Sequence, residues 1–217
     1  MKAPLGIFGG TFDPVHYGHL VPVQQTQHTL RIERVVFVPA SEPPHRNKPV
    51  ASSAHRLNML RLALQAYPEF EVDTRELERN GPSFTVPTLE SFRNEHPSRP
   101  LCLLLGLDAF LGLPSWHRWS EILNLAHITV MQRPGWTPPA VLPSWWAEAL
   151  TDTLRRNSPA GSIVLVGVDP CTIQATVVRQ RLYDELDVAD ALPPEVLGYV
   201  QRQRLYASVR TEMPNAI

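Results

Sequence analysis

Gly9-Gly10-Thr11-Phe12-Asp13-Pro14-Val15-His16-Tyr17-Gly18-His19 decides how the rest of the chain is read. The apolar run Leu5-Gly6-Ile7-Phe8 before it predicts a buried strand. Beyond Pro22, the stretch from Val23 to Arg31 holds neither Gly nor Pro and predicts a helix. A strand, a glycine turn and a helix start thus follow one another within thirty residues. Such a junction offers backbone N–H groups and the positive end of a helix dipole, which favour phosphate. Gly9 and Gly10 let a ligand approach the backbone closely. His16 and His19, three apart, share one side of the first helical turn. Gly9, Gly10, His16 and His19 therefore read as a pocket for nucleotide phosphates. A glycine pair after a strand is also common without a ligand. A His-x-x-His pair can hold a metal, yet zinc needs further ligands that no nearby Cys or Glu supplies.

The chain has 217 residues, enough for one α/β domain, and 43% of them are hydrophobic, which excludes a disordered chain. A net charge of −1 argues against a general nucleic-acid binder without excluding a local basic pocket. Cys102 lies in an apolar run and reads as a buried thiol; Cys171 is left open. The two cysteines form no disulfide framework or metal motif. Neither end carries a signal peptide or a long apolar run, so a soluble, cytoplasmic protein is expected.

Apolar runs alternate with helical patterns. Strands are predicted at Leu5–Gly9, Arg34–Pro39, Phe70–Asp73, Leu101–Gly106, His127–Gln132 and Ser162–Val168. Helices are predicted at Gly18–Arg31, Ser53–Ala66, Thr85–Glu95, Arg118–Ala126, Trp145–Arg156, Ala175–Leu182 and Pro194–Arg202. This alternation implies an α/β fold, a doubly wound, mostly parallel Rossmann-like sheet with helices on both faces. Ligands would sit at the carboxyl ends of its strands. A single domain over 1–217 is expected, its C-terminal helices from about 172 completing the ATP site.

Six later stretches carry chemistry. The basic loop Pro39-Ala40-Ser41-Glu42-Pro43-Pro44-His45-Arg46-Asn47-Lys48 is an exposed connection or, at the carboxyl end of the second strand, a phosphate contact through His45, Arg46 and Lys48. In Pro82-Ser83-Phe84-Thr85, Ser83 or Thr85 reads as a helix cap, and Thr85 can also donate to a substrate amide or carboxylate. Gly106 and Asp108 end the fourth strand at the switch region. Asp108 either caps the next helix or accepts from a ribose hydroxyl or an adenine amine. Trp116 can stack on a flat heteroaromatic ring, whereas Trp119, Trp145 and Trp146 read as packing. Arg133 ends the fifth strand and can face a carboxylate or phosphate. Thr176 and Arg179, three apart at a helix start, form a second anion site, unless Arg179 is merely solvated.

These stretches together resemble the nucleotidyltransferases, whose signature is Thr-x-Phe-Asp-Pro-x-His-x-Gly-His. Within them they are similar to the bacterial nicotinate-mononucleotide adenylyltransferases. Pro43-Pro44-His45-Arg46, Leu113-Pro114-Ser115-Trp116-His117-Arg118-Trp119 and Gln132-Arg133-Pro134 point to that branch, and the likeness spans nearly the whole chain. It implies transfer of AMP from ATP to nicotinate mononucleotide, with Mg²⁺ bridging phosphates and held mainly by them. It also implies that His16, His19 and Arg179 are catalytic. Gly9, Gly10, Thr11, Phe12, Gly106, Asp108 and Thr176 would join them around ATP. Thr85, Trp116, Arg133, His45 and Arg46 would hold the acceptor. Gln174 stands where the family usually has Ser, and Phe84 where it often has Tyr. Partners are then ATP and nicotinate mononucleotide, with no nucleic acid, no membrane and a homo-oligomer left open. The alternatives are adenylyl transfer to nicotinamide mononucleotide or phosphopantetheine, and a nucleotide sensor without turnover.

Overall fold

The structure, a computed structural model, describes residues 3–41, 48–79, 81–132, 135–136 and 143–207. The strands are β1 (Leu5–Gly10), β2 (Arg34–Pro39), β3 (Phe70–Val72), β4 (Leu101–Gly106), β5 (His127–Gln132) and β6 (Ile163–Gly167). The helices are α1 (Tyr17–Thr29), α2 (Ser53–Leu64), α3 (Arg75–Glu78), α4 (Thr85–Glu95), α5 (Leu107–Leu111), α6 (Ile122–Leu125), α7 (Ser144–Ala147), α8 (Ala175–Tyr183) and α9 (Pro194–Arg202). All strands pair in parallel in the order β3-β2-β1-β4-β5-β6. This is the Rossmann-like α/β sheet that the alternation implied.

The near-continuous apolar strands have a direct cause, because a parallel sheet is covered on both faces. Along β2 and β4, alternate residues enter opposite cores. Val35, Phe37, Cys102 and Leu104 pack with Leu20 and Val23 of α1, Met59 and Leu60 of α2, Val178 of α8 and Val196 of α9. Val36, Val38, Leu101, Leu103 and Leu105 pack with Val86 and Leu89 of α4, Phe110 of α5, Ile122 of α6 and Trp146 of α7. Strand order reverses between β1 and β4, whose register pairs Leu5 with Leu101 and Ile7 with Leu103. A crevice at their carboxyl ends follows from that reversal.

Several expectations are corrected. The helix predicted at Arg118–Ala126 is broken into a 3₁₀ turn at Trp119–Glu121 and then α6. Arg118 has a left-handed backbone, φ 54°, and its guanidinium is committed to Glu90 and Glu121 at 2.7 and 2.6 Å. The helix predicted at Trp145–Arg156 reduces to the four residues of α7. Leu150 bridges to Ile163 instead, and the amide of Thr151 donates to the Ile163 carbonyl at 2.9 Å. The exposed edge of β6 thus recruits this segment over its helical pattern. Helices α3 and α5 were not anticipated, being too short to show periodicity. Neither Ser83 nor Thr85 caps α4, whose N-cap is Phe84. Ser83 Oγ instead accepts from the Ser41 amide at 2.8 Å. Trp146 is buried as expected, while Trp119 and Trp145 are half-buried against each other at 5.2 Å. Cys102 is a buried free thiol, its pKa pushed up to about 12 by burial. Among the described residues no helix is long and apolar enough to cross a membrane.

Candidate active site

The turn between β1 and α1 is held from several sides. Gly10 accepts at its carbonyl from Ala40 N–H at 2.9 Å, fastening the turn to the end of β2. A Cβ on Gly10 would meet the Phe12 ring at 2.8 Å. Phe12 takes φ 52° and buries its ring to 1% exposure, edge-on to His19 at 5.2 Å. Its side chain is thus core, and only its backbone is left for a ligand.

His16 is the N-cap residue of α1, with extended backbone and no side-chain cap bond. Its ring stacks on that of His19, 3.8 Å between centroids and 26° between planes. His16 is 4% exposed, and burial, aided by the Arg179 charge, lowers its pKa to about 4. Its Nδ1 is buried without a hydrogen-bond partner. The imidazole is therefore neutral at pH 7, and an anion beside it would meet a donor and raise its proton affinity. Gly18 permits the stack, since a Cβ there would lie 2.7 Å from the Ile173 carbonyl and 2.8 Å from His16 Nδ1. The start of α1 is less open than the sequence implied. Tyr17 N–H donates to Ala191 O at 2.9 Å, and His19 N–H to His16 O at 2.8 Å.

α8 brings the second anion group to this turn. Arg179 Nη1 donates to the main-chain carbonyl of Asp13 at 2.7 Å, and Nη2 reaches Thr176 Oγ1 at 3.4 Å. Arg179 is thus a packed guanidinium beside the histidines, its Nε buried and unpartnered. Gln174 is the N-cap residue of α8 and makes no side-chain cap. A reciprocal pair fixes the loop before α8: Gln25 Nε2 donates to Asp169 Oδ2 at 2.6 Å, and Asp169 N–H to Gln25 Oε1 at 2.9 Å.

Three groups that the sequence reading passed over, Asp13, Arg56 and Tyr206, hold this arrangement. Asp13, 5% exposed, accepts from Val50 N–H at 2.7 Å, Ala51 N–H at 3.1 Å and the Tyr206 hydroxyl at 2.7 Å. Arg56 is wholly buried and donates to Thr11 O at 2.7 Å, Ser53 Oγ at 3.1 Å and Ser41 O at 3.3 Å. Burial lowers its pKa, which the charges of Asp13 and Tyr206 oppose. The signal for Arg56 is its phase, since it shares the stripe of Met59, Leu60 and Ala63 at helical spacing. Asp13 was in plain view inside the motif, but nothing local showed that its partners come from three distant segments.

Gly106 lies at the carboxyl end of β4 with open space where a Cβ would be, and Asp108 is exposed in the first turn of α5. Thr85 opens α4 half-buried, and Trp116 is half-buried against the second core. The rings of Phe84 and His117 meet at 4.4 Å, joining the segments that carry Thr85 and Trp116. His45, Arg46 and Arg133 lie outside the described residues. Among the described residues no group of three or more His, Cys, Asp or Glu side chains is placed to hold a metal ion.

A cytidylyltransferase-like family model matches residues 7–181. The chain is 43% identical to a probable nicotinate-nucleotide adenylyltransferase of Acidithiobacillus ferrooxidans, covering 94% of this chain and 96% of that protein. It is 44% identical to one from Dechloromonas aromatica, covering 95% and 99%. In fold it is similar to the Plasmodium falciparum nicotinic acid mononucleotide adenylyltransferase complexed with NaAD. The TM-score is 0.72 at 17% identity, covering 94% of this chain and 98% of that one.

Proposed function

This chain belongs to the cytidylyltransferase-like family and, within it, to the nicotinate-nucleotide adenylyltransferases, and from that premise we propose that it transfers AMP from ATP to nicotinate mononucleotide, forming nicotinate adenine dinucleotide and pyrophosphate in NAD biosynthesis. The observation that carries this reading is the stacked pair His16 and His19, with Arg179 brought to the same turn from the far end of the chain.

An oxygen of the acceptor phosphate attacks the α-phosphorus of ATP in line. The new P–O bond forms as the bond to the bridging oxygen breaks, and pyrophosphate leaves with its electron pair. The attacking oxygen is ionised at neutral pH, so no general base is needed. Catalysis then consists of positioning and stabilisation of charge. His16 and His19 donate to the ATP phosphates, with backbone at Gly9, Gly10, Thr11 and Phe12 alongside. Arg179 and Thr176 meet the charge on the leaving pyrophosphate. Gly106 leaves room for the adenosine, and Asp108 accepts from it. Thr85, Trp116 and Arg133 hold the nicotinate end, with His45 and Arg46 on the phosphates. Mg²⁺, when bound, would enter with ATP, held mainly by its phosphates, and would supply neutralisation of their charge. On the same reading the chain is a single cytoplasmic domain, with α8 and α9 completing the ATP site.

The test is pyrophosphate release from ATP with nicotinate mononucleotide, nicotinamide mononucleotide or phosphopantetheine, against a His16→Ala control. Preference for the first acceptor is expected. Activity confined to another acceptor would keep the phosphate roles and discard those of Thr85, Trp116 and Arg133. Silence with all three would leave a nucleotide binder.

A further inference from the structure

After α9 the chain reverses through two non-glycine residues with left-handed backbone, Arg204 at φ 50° and Tyr206 at φ 68°. Such conformations are uncommon for residues that carry a side chain and occur mostly in turns. What this reversal achieves is the placement of one side chain. Tyr206, 3% exposed, is driven into the first core, and its hydroxyl donates to Asp13 Oδ1 at 2.7 Å across 193 residues of sequence.

Asp13 stands between this tyrosine and the anion-binding groups. Its Oδ2 accepts from Val50 N–H at 2.7 Å; its Oδ1 accepts from Tyr206 and, at 3.1 Å, from Ala51 N–H. Arg179 Nη1 lies 4.0 Å from Oδ2, too far for a hydrogen bond, and donates to the Asp13 main-chain carbonyl. Among the described residues, Arg56, whose charge also reaches Asp13, is committed to Thr11, Ser41 and Ser53. We propose that Tyr206 is a positioning residue for the ATP site, saturating the Asp13 carboxylate so that Arg179 stays available to phosphate. Without the hydroxyl, Oδ1 keeps a single donor at 3.1 Å. A buried carboxylate left short of donors draws in a cation already beside it, and Arg179 Nη1 stands 4.0 Å from Oδ2. The guanidinium then closes on Asp13 and is lost to the nucleotide. The inference deepens the nucleotide-binding reading and rests on it.

Tyr206→Phe removes the hydroxyl and keeps the ring. ATP binding is measured by calorimetric titration of the full chain, alongside KM for ATP and for nicotinate mononucleotide. Leu64→Ala is the comparison, because it loosens the same core at the last residue of α2, outside the turn that carries Tyr206. The expected result is a weakening of ATP binding of about fivefold in Tyr206→Phe, a matching rise in KM for ATP, and an acceptor KM within twofold of wild type. Leu64→Ala should lower the melting temperature while leaving ATP binding within twofold. Unchanged ATP binding in Tyr206→Phe would overturn the proposal, as would an equal weakening in Leu64→Ala. A wild type that binds ATP and turns over no acceptor would defeat the proposed activity, while the ATP titrations still decide the role of Tyr206.

Discussion

Arg179 Nη1 donates to the main-chain carbonyl of Asp13 at 2.7 Å, joining two residues 166 positions apart. One end of the contact lies in the phosphate turn and the other on the helix that closes the sheet. The bond sets where positive charge stands relative to the His16 and His19 rings.

Arg179→Ala removes that charge and should lower kcat for pyrophosphate release by about a hundredfold, as for loss of a preorganised donor to a developing anion. Circular dichroism should be unchanged, because α8 keeps Val178 in the core. A fall of less than threefold would place Arg179 outside the reacting site.

His16 should titrate in the free protein near pH 4, against the usual 6.5, since burial and the Arg179 charge both disfavour its cation. The unfolded chain takes up this proton as pH falls through 6.5, while the folded chain resists until about 4. The stability His16 contributes is therefore complete above pH 6.5 and lost on acidification across that window, on the order of 3 kcal/mol in all. Saturating ATP should raise the midpoint, because phosphate favours the cation. Ring-proton NMR over pH 3.5–8 with and without ATP reads both; a free-protein midpoint near 6.5 would refute the buried, neutral assignment.

Gly18→Ala places a Cβ 2.7 Å from the fixed Ile173 carbonyl and 2.8 Å from His16 Nδ1. Overpacking of this kind costs about 1–3 kcal/mol, and the shift of His16 should weaken ATP binding as well. Gly106→Ala meets nothing within 4 Å and should leave the melting temperature unchanged. Equal melting temperatures for the two variants would contradict the packing.

Arg56→Met leaves the carbonyls of Thr11 and Ser41 and the hydroxyl of Ser53 without their buried donor. A loss of about 2–5 kcal/mol in urea unfolding is expected, larger than for Arg56→Lys, which can still reach part of this set. Stability equal to wild type in Arg56→Met would show those acceptors satisfied elsewhere.

The layers and the location of the crevice are legible in the chain alone. Runs such as Leu101–Leu105 and Val35–Val38 are apolar at every position, because each residue meets a core on one face or the other. Gly9-Gly10 and the His16/His19 spacing are local signals, carried by neighbours in the chain. Tertiary packing alone turns Phe12 into the core, breaks the helix of the Arg118 segment on two glutamates, and sets Leu150 against Ile163 of β6. It also joins Asp13, Arg56 and Tyr206, all buried, to the partly buried Arg179. Periodicity reports which face of an element is apolar. It does not report which buried carboxylate a distant guanidinium or phenol will meet, because that meeting is fixed by the packing of several elements at once.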